Sequence, residues 1–168
     1  AYDSRIKSDK FAKEAAAVLA ANGIKVYIYS ELMPTPMLSW AVRELKCQAG
    51  IVITASHNPA KYNGYKVYGE DGCQITLDVA NTVIGKINAV EMFGGAKVID
   101  FEDGIKSGKI EYIKQDVIDK YLDKVAQQGV HTDLVADSGL KVVYTPLNGT
   151  GNKPVRAILK KIGIKEVT

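Results

Sequence analysis

No stretch of the chain approaches the roughly 20 consecutive apolar residues of a membrane span, so no membrane partner is expected. No block of about five Lys or Arg residues occurs either, which removes the usual footprint of a nucleic-acid stripe. The net charge is only +3, spread along 168 residues, a balance that suits a small anionic substrate. Cysteine is scarce: Cys47 and Cys73 are far apart and form no C-x-x-C pair. That excludes a disulfide framework and fits two ordinary thiols in the reducing cytoplasm. Histidine is equally scarce, with only His57 and His131, and the four residues show no zinc-ligand spacing. The opening Ala-Tyr-Asp-Ser-Arg has neither Met nor a signal-peptide layout and reads as cut from a longer chain.

What is present is the rhythm of an α/β protein. Ser8 or Asp9 is positioned to cap a helix carrying Phe11, Ala15, Val18 and Leu19 on one face, stopped by Gly23. Ile24–Tyr29 reads as a strand, Met33–Pro36 as a loop, and Met37–Lys46 as a helix with Leu38, Ala41, Val42 and Leu45 inward. "AGIVITA" is a nearly continuous apolar strand of the kind covered on both faces. A hairpin follows, Tyr65–Tyr68 and Cys73–Ile75 around "GEDG", then a helix with Leu77, Ala80, Val83, Ile84, Ile87 and Val90 as its apolar stripe. Residues 96–113 read as short strands or extended arms, and 115–128 as a helix. "GVHTDLVADSG" is the best boundary candidate, with His131 exposed in it. The expected domains are therefore 1–135 and 136–168, the second being only the β-loop-α-β opening of another α/β unit.

The most chemical stretch is "TASHNPAKYNGYK". An apolar strand ends at Thr54 and delivers Ser56, His57, Asn58 and Pro59 into a loop, with Lys66 at the head of the next strand. A nucleophile, two proton carriers and a cation in one loop suit phosphoryl transfer. The residues alone leave other readings open. The same loop makes a plain turn in which hydroxyl and amide satisfy the backbone. A serine hydrolase is a third reading, but Ser56 lies between Ala55 and His57 and no Gly-x-Ser-x-Gly elbow is present.

"TASHNPAKYNGYKVYGEDGCQI" closely resembles the phosphoserine signature of the α-D-phosphohexomutases, the family of phosphoglucomutase and phosphomannomutase. "AYDSR" is similar to the family's Asp-x-Arg turn, "MPTP" to the loop before its second helix, and "KVVYTPLNGTGNKPV" to the opening of its second domain. Asn148 stands where that last motif usually has His. The resemblance implies a three-layer α/β/α sandwich with a mixed sheet, followed by the truncated start of a second α/β domain. It implies a phosphotransferase that interconverts hexose 1-phosphate and hexose 6-phosphate through a phosphoserine and a hexose 1,6-bisphosphate. By that resemblance Ser56 carries the phosphoryl group, and His57 and Lys66 serve proton transfer and charge stabilisation. Arg5, Thr35, Asn58 and Asn63 bind substrate or support the site. Mg²⁺ is the implied metal, bound to Ser56 through its phosphate, with glucose 1,6-bisphosphate as activator. The family's metal-binding Asp-Gly-Asp-x-Asp-Arg loop is missing from the sequence, so the remaining domains of a parent enzyme are implied partners and the chain alone is expected to be inactive. A phosphoglucosamine mutase and a non-catalytic module that keeps the fold are the alternatives.

Overall fold

The strand that carries the serine loop is β2 (Ala49–Ile53), and its two faces are covered by different helices. Even positions face α2 (Thr35–Glu44): Val52 packs with Leu38 and Val42. The odd position Ile53 faces α1 (Ser8–Ala21), among Ala12, Ala16 and Ala20. This arrangement explains why the strand sequence is apolar at consecutive positions. It also explains Gly50, where a Cβ would lie 2.5 Å from a Val42 methyl and push α2 off the strand.

The computed structural model describes residues 1–168 and divides them into two compact units, Ala1–Ile113 and Lys114–Thr168. In the first unit β1 (Val26–Ile28) pairs in parallel with β4 (Ile110–Tyr112), and β2 pairs antiparallel with β3 (Tyr65–Gly69). Helices α3 (Leu77–Asn88) and α4 (Phe101–Lys106) complete it. The second unit holds α5 (Gln115–Ala126), α6 (Thr132–Asp137), β5 (Lys141–Val142), α7 (Asn152–Lys161) and β6 (Glu166–Val167), with β5 and β6 parallel. The fold is α/β, as expected, with parallel and antiparallel pairings both present. They occur as three separate two-stranded ladders instead of one continuous mixed sheet.

Several local expectations are revised. Helix α1 buries Ala12, Ala16, Ala17 and Ala20, and Phe11 is half exposed. Its N-cap is Lys7 in the left-handed region, and Ser8 turns inward to bond Asp3 instead of capping. Helix α2 starts at Thr35, before Pro36, since a proline in a first turn displaces no helical hydrogen bond. The stripe of α3 has the expected spacing, yet none of its residues is buried; Leu77 is 81% exposed. Two short helices, α4 and α6, form where strands, arms or a linker were expected. Asp100 caps α4 by accepting from the N–H groups of Glu102 and Asp103. His131 is exposed at the start of α6. In the division into compact units, α5 belongs to the unit Lys114–Thr168.

Candidate phosphoryl-transfer loop

Ser56 sits just past the end of β2, exposed, with φ of 57°. That left-handed backbone is costly for a non-glycine residue, so surrounding bonds must hold it. They do. The Ser56 N–H donates to Thr54 Oγ1 at 3.1 Å, and Thr54 Oγ–H donates to Asp3 Oδ2 at 2.6 Å. The Ser56 carbonyl accepts from Arg5 Nη2. The other Arg5 terminal nitrogen donates to the carbonyls of Pro59 and Tyr62, at 3.1 and 3.3 Å. One guanidinium therefore grips three backbone oxygens of the loop, a use of its fixed fork geometry that lysine does not offer.

Asp3 anchors this grip. Its carboxylate accepts from Arg5 Nε at 3.1 Å, the Arg5 N–H at 2.9 Å and Ser8 Oγ at 2.7 Å, besides Thr54. The Arg5–Asp3 pair is only 10% and 14% exposed and is therefore a largely buried ion pair. Ser8 Oγ in turn accepts from Asn63 Nδ2 at 2.8 Å, and Asn63 Oδ1 accepts from the Gly64 N–H. Gly64 has no room for a side chain, because a Cβ would lie 2.5 Å from the Thr54 carbonyl. The far end of the loop is thus tied to the near end through Asn63, Ser8 and Asp3.

On the solvent side, Ser56 Oγ lies 3.1 Å from His57 Nδ1. The hydroxyl and imidazole do meet, although they are sequence neighbours. Lys66 lies opposite Val52 in the β2–β3 ladder, on the strand face that α2 covers. Its ammonium makes no hydrogen bond or ion pair to Ser56 or His57. Thr35 begins α2, in the segment that Tyr2 draws toward the loop: the Tyr2 carbonyl accepts from the Met33 N–H, while Tyr2 bridges Ile53 on its other side. Asn58 donates its N–H to the Ala55 carbonyl and is exposed.

Arg5 and Asn63 are therefore supports of the loop. Three further supports, Asp3, Ser8 and Thr54, were missed as site residues by sequence reasoning. The only signal for them was their place within "AYDSR" and "TASHNP". No group of three or more His, Cys, Asp or Glu side chains gathers in a way that would hold a metal. Mg²⁺ prefers six oxygen ligands, and this chain's own residues do not form such a cage.

The comparisons agree on one relationship. The family model described as phosphoglucomutase/phosphomannomutase, alpha/beta/alpha domain I matches residues 1–93. The phosphoglucomutase of Staphylococcus haemolyticus is 38% identical over 99% of this chain and 30% of its own length. The phosphoribomutase of Saccharomyces cerevisiae is 35% identical over 95% of this chain and 27% of its own length. The chain thus spans about 30% of the curated relatives it matches. A solved structure described as a putative phosphomannomutase from Thermus thermophilus superposes with a TM-score of 0.79, at 27% identity, over 99% of this chain and 35% of its own.

Proposed function

The chain belongs to the phosphoglucomutase/phosphomannomutase family, and on that premise we propose that Ser56 is the phosphoryl carrier of a sugar-phosphate mutase whose remaining groups lie outside these residues. The observation that carries this reading is the Ser56 hydroxyl itself. It is exposed, held in a strained left-handed corner by Arg5, Asp3 and Thr54, and within 3.1 Å of an imidazole. Strain kept in place by several independent bonds is a feature of sites where geometry matters to chemistry.

In the forward half-reaction, phosphoserine at Ser56 gives its phosphoryl group to a free hydroxyl of a hexose 1-phosphate. The Ser56 Oγ–P bond breaks as the sugar O–P bond forms, and in this proposal His57 takes or returns the hydroxyl proton. The bisphosphate then turns over, and its other phosphoryl returns to Ser56, leaving the 6-phosphate. Lys66, Thr35 and Asn58 are the side chains from this chain proposed to face the sugar phosphate. A phosphorylated Ser56 adds about −1.5 to −2 charges near pH 7. Mg²⁺ is proposed to offset that charge with ligands supplied from elsewhere in the parent enzyme. Glucose 1,6-bisphosphate is the proposed loading agent. The similarity to a phosphoribomutase leaves a pentose phosphate as a substrate to compare with the hexose.

The test is phosphoryl loading of the parent enzyme. After incubation with glucose 1,6-bisphosphate, intact mass and peptide mapping are expected to place one phosphate on Ser56. An active parent whose Ser56 stays unmodified sinks the mechanism. The 168-residue chain alone is expected to give no isomerisation, and turnover by it would overturn the view that other segments complete the site.

A further inference from the structure

The serine loop is built from two turns in succession. The first, residues 55–58, is closed by the Asn58 N–H on the Ala55 carbonyl at 3.1 Å. The second, residues 59–62, is closed by the Tyr62 N–H on the Pro59 carbonyl at 3.0 Å. Arg5 holds both: Nη2 donates to the Ser56 carbonyl, and Nη1 donates to those of Pro59 and Tyr62. Carbonyl oxygens bound by one guanidinium lie only a few ångströms apart, because its nitrogens sit in a rigid fork. The two turns therefore stand side by side. Ser56 and His57 of the first and Ala60 and Lys61 of the second are all exposed.

Between Ala55 and Gly64, Lys61 is the one Lys, Arg, Asp or Glu. It makes no ion pair. Its ammonium lies over the ring of its neighbour Tyr62, 5.1 Å from the centroid. The Tyr62 backbone is fixed on both sides, by Pro59 at its N–H and by Arg5 at its carbonyl, and its ring is 52% exposed. A cation on such an exposed ring is held weakly. A phosphate dianion offers it a stronger, charge-assisted partner. The neighbouring cations are already committed. Arg5 spends its nitrogens on Asp3 and the three loop carbonyls, and Lys66 stands in the β2–β3 ladder opposite Val52.

We propose, resting on the reading that Ser56 carries the phosphoryl group, that Lys61 is the loop's own phosphoryl-binding residue. It rests on the Tyr62 ring while Ser56 is unmodified and turns onto the phosphate once Ser56 is phosphorylated. The ligand it takes is a phosphomonoester dianion on the neighbouring turn. The change is one of side-chain rotamers only, since Arg5 keeps both turns in place. A phosphorylated Ser56 adds about −1.5 to −2 charges near pH 7, and Lys61 offsets about one of them. The Tyr62 ring keeps the cation beside the site between turnovers, where a solvated lysine would wander.

The experiment uses the 168-residue chain with Ser56 phosphorylated by semisynthesis and follows the phosphate by phosphorus NMR through its second ionisation. A nearby cation favours the dianion and lowers that pKa. Lys61→Gln is therefore expected to raise it by about 0.5 unit and Lys61→Glu by about 1 unit, the size of one and two unit charges a few ångströms away in a water-like dielectric. Lys61→Arg is expected to keep the wild-type value, and added salt should shrink the differences. The other charged or titratable groups around Ser56, namely His57, Arg5, Asp3 and Lys66, are common to all forms, so the differences read position 61 alone. Equal pKa values in the wild-type and Lys61→Gln chains overturn the proposal. So does the same rise in Lys61→Arg as in Lys61→Gln, which would make the effect one of loop structure and not of charge. Phosphate loading of Ser56 in the parent enzyme with no effect of Lys61 refutes this proposal and leaves the phosphoryl-carrier reading standing. An active parent whose Ser56 stays unmodified overturns both.

Discussion

Replacing Asp3 by alanine removes the single acceptor on which the serine loop converges. Four hydrogen bonds end on that carboxylate, from Arg5 Nε, the Arg5 N–H, Ser8 Oγ and Thr54 Oγ1, at 2.6 to 3.1 Å. Bonds to a charged acceptor contribute about 1.5–3 kcal/mol each, but they do not add here. Ser8 keeps its bond from Asn63, Thr54 keeps the one from the Ser56 N–H, and Arg5 keeps its carbonyls. The dominant loss is the broken, mostly buried pair, which costs about 3–5 kcal/mol when one partner is removed. Asp3→Ala is therefore expected to destabilise the chain by about 3 to 4 kcal/mol, a large share of the ~5–15 kcal/mol typical of a domain. Urea unfolding reads this directly: with a slope of about 2 kcal/mol/M, the midpoint should fall by about 1.5–2 M. Because Arg5 and Asp3 act as a unit, adding Arg5→Ala to the Asp3→Ala background should cost much less than it does alone. In the parent enzyme, Asp3→Ala should also slow phosphoryl loading of Ser56, since the loop loses its register. A stability loss below about 1 kcal/mol, or additive single and double variants, would refute the hub.

Other outcomes follow from the same geometry. Ser56→Gly relieves the left-handed backbone at φ 57° and should stabilise the chain by about 1 kcal/mol while abolishing phosphate uptake. A neutral or destabilising result would mean the corner is not strained. The Ala1 amine has its pKa lowered from 8.0 to about 5 by burial, so between those values the unfolded chain binds more protons than the folded one. Stability of the 168-residue chain should then rise with pH across that window, by up to roughly 4 kcal/mol at ~1.36 kcal/mol per unit, and level off above pH 8. A flat profile from pH 5 to 8 would show that the amine is not held inside.

Local pattern reached the serine loop because its chemistry is contiguous. Ser56, His57 and Asn58 follow one strand end, and a turn at Asn63-Gly64 returns the chain to β3. It did not reach Asp3, Ser8 and Thr54 as partners, since Asp3–Thr54 and Ser8–Asn63 are bonds across 51 and 55 residues. Helical spacing identified α3, yet its stripe is exposed. Periodicity reports which side chains share a face and carries no information on whether anything packs against it. For α1 the larger side chains suggested one face, and close packing on β2 selected the alanine face instead.

By itself, the sequence determined the α/β class, the order of the main helices and strands, and the loop that presents Ser56 and His57 together. These depend on turn residues and apolar spacing within a few residues of one another. Only the tertiary structure decided that Asp3 and Arg5 clamp that loop, that Lys66 lies on the α2 face with no bond to Ser56 or His57, and that α1 sets its alanine face against β2. Each of these depends on where distant backbone groups meet, and strand neighbours are set by packing of whole elements, which no local pattern encodes.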